Sequence, residues 1–294
     1  QGCRDGLPAE CGGNPNKYYI EMDFIWKLLE EKTVVLIRGE WLLERSRATP
    51  FEPLPCRQDL PPEAIVEFRE LVDFKKEVEE WAKLNGFPAA REMIVSISHC
   101  WLSPHHPDPD NNLLCELVPA IEKYTEEWEG FVGSPFYGAF FFAWCSLFQP
   151  FHAKSSNGQY HRLTDAQFTE EQKAAHETAL ANMDIWYAHQ KTEVWMLTNY
   201  YPVQGAPYEM RGWPTWERTV AELLTNGRKL LDFGDPNACR TPPLVPEDFA
   251  HVIDIKHFTC GETDKPMVTD NYRRNFSQIT ACVTRLDLTG LSPK

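Results

Sequence analysis

The segment VSISHCWLSPHHPDPD (residues 95–110) concentrates side chains that bind metal ions or transfer protons. Its chemically active residues are His99, Cys100, His105, His106, Asp108 and Asp110. A structural zinc site draws paired ligands from two places in the chain, and the second half of the sequence offers no matching HxxxH or CxxC pair. Adjacent histidines rarely bind one ion together, and the prolines that alternate with the aspartates favour an extended, exposed turn. We therefore predict a loop after a strand, without a metal site.

A second segment, YEMRGWPTWERTVAEL (residues 208–223), places a carboxylate on a predicted helix. If this helix begins at Pro214, its apolar residues fall on or near one face: Trp213, Trp216, Val220 and Leu223. Glu217 then lies in the opening turn, where the positive end of the helix dipole favours a carboxylate. The helix terminus alone is therefore a sufficient reason for a glutamate at this position.

Ser98, His99 and Trp101 stand at the end of a predicted strand, EMIVSIS (residues 92–98). In doubly wound α/β sheets, ligands bind at the loops that follow the carboxyl ends of the strands. We therefore expect these three side chains at the mouth of a ligand site, on the same rim of the sheet as Glu217. The alternative is structural, since His99 can equally be a satisfied histidine at a strand end.

Short apolar strands alternate with amphipathic helices along the chain, which predicts a mainly parallel sheet with helices on both faces. Right-handed crossovers make such a sheet a doubly wound α/β fold. The predicted strands are residues 32–39, 92–98, 139–148, 192–198 and 251–260. The predicted helices are residues 63–85, 111–128, 169–189 and a helix from Pro214. Thr169 and Gln172 form a capping box that begins the third of these helices.

The order of these elements predicts three parts of the chain. Residues 1–90 form an N-terminal extension with a strand and an amphipathic helix, and residues 91–234 form an α/β core. Residues 235–294 form a Pro-rich C-terminal extension with a further strand.

Composition excludes several classes of partner for this chain of 294 residues. The net charge of −14 makes nucleic acid an unfavourable partner, because binding a phosphate backbone depends on Lys and Arg. The longest apolar run, GAFFFAWCSLF from Gly138, is about half the length that a transmembrane helix needs. The nine cysteines contain no CxxC pair and fit buried free thiols better than disulfides. We therefore expect a soluble protein of a reducing intracellular compartment, without a transmembrane segment.

Four motifs in this order resemble those of Toll/interleukin-1 receptor (TIR)-like domains. They are ISHCW (97–101), FAWCSLFQ (142–149), IWYAHQKTEVWMLTNYYP (185–202) and RGWPTWE (211–217), and the resemblance as a whole covers about residues 92–224. The second is similar to the family's FDYCSLPQ strand, and the fourth is similar to its W-C-x-x-E motif. The resemblance implies a flavodoxin-like fold in the core. In enzymatic members the motif's glutamate assists cleavage of the nicotinamide–ribose bond of NAD, a role that falls on Glu217. Ser98, His99, Trp101 and Trp213 would then line the NAD pocket.

The sequence departs from the family pattern at several positions. Pro214 replaces the motif's Cys, and Ala143, Trp144 and Phe148 stand where the second motif has Asp, Tyr and Pro. These departures favour a TIR-like interaction or accessory subunit of a larger assembly, which binds other protein chains, requires no cofactor and has weak or no catalysis. The alternative is an NAD-cleaving glycohydrolase, in which the Glu217 carboxylate stabilises an oxocarbenium-like transition state. A nucleoside-transferring enzyme on a related fold is a third hypothesis.

Overall fold

The structure is a computed structural model that describes residue 11 and residues 14–49, 52–86, 93–103, 105–132, 138–150, 163, 167–199, 205–224, 229–235, 241–259, 261 and 263–282. Parts of the predicted segments, namely Glu92, Pro104, residues 200–202 and Cys260, lie outside the described residues. Within the described ranges the chain forms eleven α-helices and five β-strands. None of these helices is both long and apolar enough to cross a membrane.

The α-helices are α1 Pro15–Tyr19, α2 Asp23–Glu30, α3 Gly39–Ser46, α4 Phe68–Asn85, α5 Asn112–Val132, α6 Ala143–Ser146, α7 Glu170–Ala181, α8 Asp184–Ala188, α9 Gly212–Leu224, α10 Pro246–Asp254 and α11 Asp264–Cys282. The strands are β1 Ile37–Arg38, β2 Ile94–His99, β3 Ala139–Phe141, β4 Thr192–Leu197 and β5 Leu230–Asp232.

The five strands form a mixed sheet in the order β1-β3-β2-β4-β5. β4 and β5 pair in parallel, whereas β1 pairs with β3 in the antiparallel sense. The α/β class is therefore confirmed, but the predicted mainly parallel, flavodoxin-like doubly wound sheet is not. β1 has two residues and stands at the end of this strand order, and α3 follows it directly. Ile37 also forms an antiparallel bridge with Ile65, so β1 has antiparallel contacts on both sides. All six residues of β2 are buried, as expected for a strand covered on both faces.

Two of the helix ends predicted from local sequence signals are confirmed, and a third is wrong. The capping box is confirmed, because the Thr169 amide donates to Gln172 Oε1 at 3.1 Å and the Gln172 amide donates to Thr169 Oγ1 at 3.2 Å. Gly86 ends α4 in the left-handed conformation (φ 71°), as the sequence predicts. Pro62, however, begins a short 3-10 turn rather than α4, which starts at Phe68.

Three strand predictions are wrong in part or in whole. The predicted strand 32–39 is confined to Ile37–Arg38, and α3 begins at Gly39. The predicted strand 139–148 stops at Phe141, and α6 follows. The predicted strand 251–260 begins inside α10. Pro246 at the first position and two acidic residues in the first turn favour this helix, and Phe249 and Ile253 are buried at a spacing of four residues. The predicted helix 169–189 is likewise divided, into α7 and α8.

The chain divides into two compact units, each of which combines segments that are distant in the sequence. The first unit contains Gln1–Lys27, Ser96–Pro107 and Leu180–Lys294, and the second contains Leu28–Val95 and Asp108–Ala179. The three-part division proposed from the sequence stays a prediction.

In the first unit, α9 packs against α8 and α11, and α11 also contacts α1 and α10. A buried polar network joins three of these helices around Asp184. Tyr19 donates its hydroxyl hydrogen to Asp184 Oδ2 at 2.6 Å, and the Tyr18 hydroxyl lies 3.0 Å from Asn182 Oδ1 and 3.3 Å from Asp184 Oδ1. Asn275 of α11 donates to the Tyr19 oxygen at 3.4 Å. The network therefore ties α1 to α8 and α11.

In the second unit, α3 and α4 pack against α5. Side-chain donors hold the segment before the 3-10 turn Arg57–Asp59. The Trp144 indole donates to the Leu54 carbonyl at 2.9 Å, and the Asn111 amide donates to the Glu52 carbonyl at 2.7 Å. Asp108 precedes α5 and satisfies amides of its first turn, because its Oδ2 accepts from the amides of Leu113 and Leu114 at 3.0 and 3.1 Å. The prediction that Asp108 lies in an exposed turn is therefore wrong.

Candidate functional site

Ser98 and Glu217 meet in the first unit. Ser98 lies near the carboxyl end of β2, and its Oγ donates to Glu217 Oε2 at 2.5 Å. The Tyr208 hydroxyl lies 2.5 Å from the same Oγ. A serine hydroxyl has one hydrogen, so when Ser98 donates to Glu217 it accepts the hydrogen of Tyr208. The structure thus brings Ser98 and Glu217 together near the end of β2, as the sequence predicts, although the sheet is mixed.

Helix α9 positions Glu217 differently from the sequence-based expectation. The helix begins at Gly212 rather than at Pro214, so Glu217 is its sixth residue and lies in the second turn. The side chain points into the protein, and only 6% of the residue is exposed. The prediction that Glu217 lies in the opening turn is therefore wrong, and the helix dipole does not account for it, because that effect fades beyond the first turn.

A second tyrosine completes the hydrogen bonding of this carboxyl group. Tyr187 of α8 donates to Glu217, and its hydroxyl also lies 3.4 Å from the Ile97 carbonyl. The ring of Tyr187 packs edge-on against that of Trp216, with centroids 6.2 Å apart. We refer to Ser98, Tyr187, Tyr208 and Glu217 as the carboxyl cluster.

Burial dominates the electrostatics of the carboxyl cluster. It raises the pKa of Glu217 to about 7, although the hydrogen bonds from Ser98 and Tyr187 act in the opposite direction. Burial, and then the nearby Glu217 charge, raise the pKa of Tyr208 and of Tyr187 well above 10.0. The phenols therefore stay protonated as donors, and burial favours the protonated form of Glu217 relative to an exposed glutamate.

His99 and Trp101 follow in the connection after β2. His99 is 5% exposed, and burial, together with repulsion from His106, lowers its pKa to about 3. The imidazole is therefore neutral at physiological pH, and Trp101 is half-buried. The loop is closed by the Leu102 amide, which donates to the Pro107 carbonyl at 2.9 Å. Its two adjacent histidines differ in burial, because His105 is exposed and His106 is buried.

The part of the chain that the structure describes contains no group of three His, Cys, Asp or Glu residues placed to hold a metal ion. Residues 95–99 belong to β2 and a connection to α5 follows, as the sequence predicts, while the expected absence of a metal site stays a prediction.

Trp213 is half-buried on the first turn of α9. Its indole Nε1 donates to Asp264 Oδ2 at 2.8 Å, and its ring lies perpendicular to that of Trp216 at 5.7 Å. Trp213 thus lies against the beginning of α11, so its indole N–H already has an acceptor in the protein.

The two tyrosines of the carboxyl cluster were not predicted from the sequence as site residues. Both lie in segments already singled out, within IWYAHQ and at the start of YEMRGWPTWE. A tyrosine in an apolar segment carries no local sign of where its hydroxyl points, so only the tertiary contacts identify these two.

Comparisons of the chain with protein families, curated proteins and solved structures find no match.

Proposed function

We propose that this chain is a TIR-like interaction or accessory subunit of a larger protein assembly, with weak or no catalysis. The observation that carries the proposal is the burial of Glu217. The residue is 6% exposed, and its carboxyl group already accepts hydrogen bonds from Ser98 and Tyr187. A glutamate in this state serves to join β2, α8 and α9, rather than to meet a substrate.

The chemistry of NAD cleavage supports the same conclusion. A carboxylate that stabilises an oxocarbenium-like sugar must be ionised and must face that sugar. In Glu217, burial raises the pKa to about 7, which disfavours the ionised form. Pro214 also stands where the resembling family has Cys, so the surroundings of this carboxyl group differ from those of enzymatic members.

Exposed apolar side chains of the first unit support binding to other protein chains. Of the five large apolar residues that are exposed in the described ranges, four lie in this unit. Ile255, directly after α10, is 69% exposed, and Val245, directly before α10, is 46% exposed. Buried contacts with a partner would remove these side chains from water.

The test is the assembly state of the full chain. We expect an affinity-tagged chain to form a stoichiometric complex, with itself or with a partner chain, by light scattering and native mass spectrometry. Ile255→Asp should weaken that complex at least about ten-fold, because a charge would be buried in the contact. Leu84→Asp is the matched control, since Leu84 is 85% exposed but lies on α4 of the second unit. A monodisperse monomer without a stoichiometric partner would remove the proposal.

The second candidate is an NAD glycohydrolase, and the observation that favours it is the 2.5 Å contact between Ser98 and Glu217 at a strand end. Open α/β sheets bind ligands outside the carboxyl ends of their strands, and a carboxyl group with a shifted pKa is a common feature of active sites. On this hypothesis NAD is the substrate, and Glu217 stabilises the ribosyl cation as nicotinamide leaves.

Nicotinamide release from NAD by the full chain tests this candidate. Glu217→Gln should lower the release rate at least about 100-fold, because removing a charge that stabilises the transition state has effects of that order. Glu209→Gln is the matched control, as an exposed glutamate of the same segment. Absence of release from the wild-type chain, at concentrations that promote self-association, would exclude the candidate.

A further inference from the structure

We infer that Tyr208 is an autoinhibitory plug on the Ser98–Glu217 pair, held in place by a latch formed by residues 256–259. The inference rests on the second candidate function, in which Ser98 and Glu217 face the ribosyl group of NAD. It also relates that site to the proposed assembly role, because the latch adjoins an exposed apolar residue.

The plug is the hydroxyl group of Tyr208. It lies 2.5 Å from Ser98 Oγ and 3.4 Å from the Pro214 carbonyl, and the residue is 1% exposed. A phenol and a sugar hydroxyl have the same hydrogen-bonding capacity, one donor and two lone pairs. Tyr208 therefore occupies a position on Ser98 that a ligand hydroxyl would need.

Tyr208 is held less firmly by its own element than Tyr187 is. Tyr187 lies in α8, and all five residues of that helix are buried. Tyr208 begins a three-residue 3-10 turn, Tyr208–Met210, and Gly205 before it has a left-handed φ of 75°. A short turn opens at a lower free energy than a buried helix, so Tyr208 is the tyrosine that can leave the carboxyl cluster.

The latch consists of hydrogen bonds between the turn with its flanking residues (208–212) and the segment between α10 and α11. The Lys256 ammonium donates to the Glu209 carbonyl at 2.5 Å, and the His257 amide donates to the Met210 carbonyl at 2.7 Å. In return, the Gly212 amide donates to the His257 carbonyl at 2.8 Å. The Arg211 guanidinium donates from Nη1 to Thr259 Oγ1 at 2.7 Å. Residues 256–259 therefore fix the turn that carries Tyr208.

The latch also adjoins a surface that a partner chain can reach. Ile255 is 69% exposed and directly precedes Lys256. A partner that buries Ile255 would act on the residue next to the latch. In this arrangement, opening of the Ser98–Glu217 site depends on protein association.

The expected effect follows from the equilibrium between a closed and an open site. The apparent dissociation constant for a ligand equals the intrinsic constant divided by the open fraction. Removing one hydrogen bond that favours the closed state should raise a small open fraction about five-fold. Apparent affinity for NAD should rise by the same factor.

The experiment measures NAD binding to the full chain by isothermal titration calorimetry, with nicotinamide release followed in parallel. We expect Tyr208→Phe and Lys256→Met each to lower the apparent Kd for NAD about five-fold relative to the wild-type chain. Lys265→Met is the matched control, because the Lys265 ammonium donates to the Asp254 carbonyl at 3.0 Å and not to the turn. In the Ser98→Ala background, Tyr208→Phe should give no gain.

Any of three results would overturn the inference. The first is an unchanged Kd for Tyr208→Phe, and the second is a gain in NAD affinity from Tyr208→Phe that persists in the Ser98→Ala background. The third is the absence of NAD binding by every variant. An equal gain in Lys265→Met would overturn the latch. The two proposals fail in different ways. A gain in affinity without nicotinamide release supports the plug and removes NAD cleavage. Release by the wild-type chain without any gain supports cleavage and removes the plug.

Discussion

At the scale of single residues, Glu217 combines a chemically active group with an environment that disfavours its charge. The carboxyl group is buried, and its partners are neutral hydroxyls of Ser98 and Tyr187. Neutral donors stabilise a carboxylate, but by less than burial destabilises it here. The folded protein consequently favours the protonated form of Glu217 more than the unfolded chain does.

This imbalance predicts a pH-dependent effect of Glu217→Gln. The pKa of Glu217 rises from 4.5 to about 7 on folding, so the folded state binds more protons between these pH values. The contribution of Glu217 to the free energy of unfolding is therefore most favourable below pH 4.5, and it falls as pH rises towards 7. The loss is on the order of 3 kcal/mol in the free energy of unfolding. Glutamine cannot ionise, so the free energy of unfolding of Glu217→Gln should rise relative to that of the wild-type chain as pH rises from 5 to 8. Urea unfolding measures this difference.

Glu209→Gln provides the control for that comparison, because it makes the same substitution at an exposed glutamate of the same segment. A difference between Glu217→Gln and wild type that stays constant from pH 5 to pH 8 would contradict the account of Glu217 as a carboxyl group destabilised by burial.

At the scale of elements, the beginning of α9 depends on close contact with the segment between α10 and α11. Gly212 is the first residue of α9, and its amide bonds to the His257 carbonyl. A Cβ atom at this position would lie 2.1 Å from the ring of Phe258. Packing against Phe258 therefore requires a glycine at this position. The contact with the segment between α10 and α11 also holds the turn that carries Tyr208.

We expect Gly212→Ala to lower the free energy of unfolding by about 1–3 kcal/mol, the usual range for overpacking a core. Urea unfolding measures this change. Gly130→Ala in α5 is the matched control, because nothing lies within 4 Å of the added Cβ. That variant should gain about 0.5–1 kcal/mol from helix propensity. A second substitution, Phe258→Leu, should recover part of the loss, and its failure to do so would show that the contact with the ring is not the cause.

At the scale of the whole molecule, the first unit is assembled from three separate parts of the chain. The Asp184 network joins the earliest of these parts to the last, since Tyr19 bonds to Asp184 and Asn275 bonds to Tyr19. Helix α1 has only five residues and cannot be stable alone, so these tertiary contacts hold it.

Tyr19→Phe should therefore lower the free energy of unfolding by about 1–3 kcal/mol, because it removes a partner from a buried carboxyl group. Tyr272→Phe is the comparison, since the Tyr272 hydroxyl donates to a single backbone acceptor, the Leu244 carbonyl, at 2.7 Å. Its loss should be smaller, about 1 kcal/mol. Equal losses in urea unfolding would indicate that the Asp184 network contributes no more than one ordinary hydrogen bond.

Several features of the fold were predictable because they depend on neighbouring residues. The α/β class followed from alternating apolar strands and helices, and β4 lies within the predicted strand 192–198. The capping box at Thr169 and the stop at Gly86 are local hydrogen-bonding and dihedral properties. The meeting of Ser98 with Glu217 followed from the general rule for strand ends, while their proposed roles stay predictions.

Other features were decided by the tertiary structure. The antiparallel pairing of β1, the burial of Asp108 and the placement of Tyr187 and Tyr208 depend on residues distant in the sequence; Ser98 and Tyr208, for example, are 110 positions apart. Sequence periodicity shows which face of an element is apolar, but not which element covers it or in which direction an edge strand runs. The sequence alone thus determined the local elements and the approximate location of a carboxyl group. Only long-range packing determined that this group is buried and covered by two tyrosines, because burial and pKa depend on every neighbour in space.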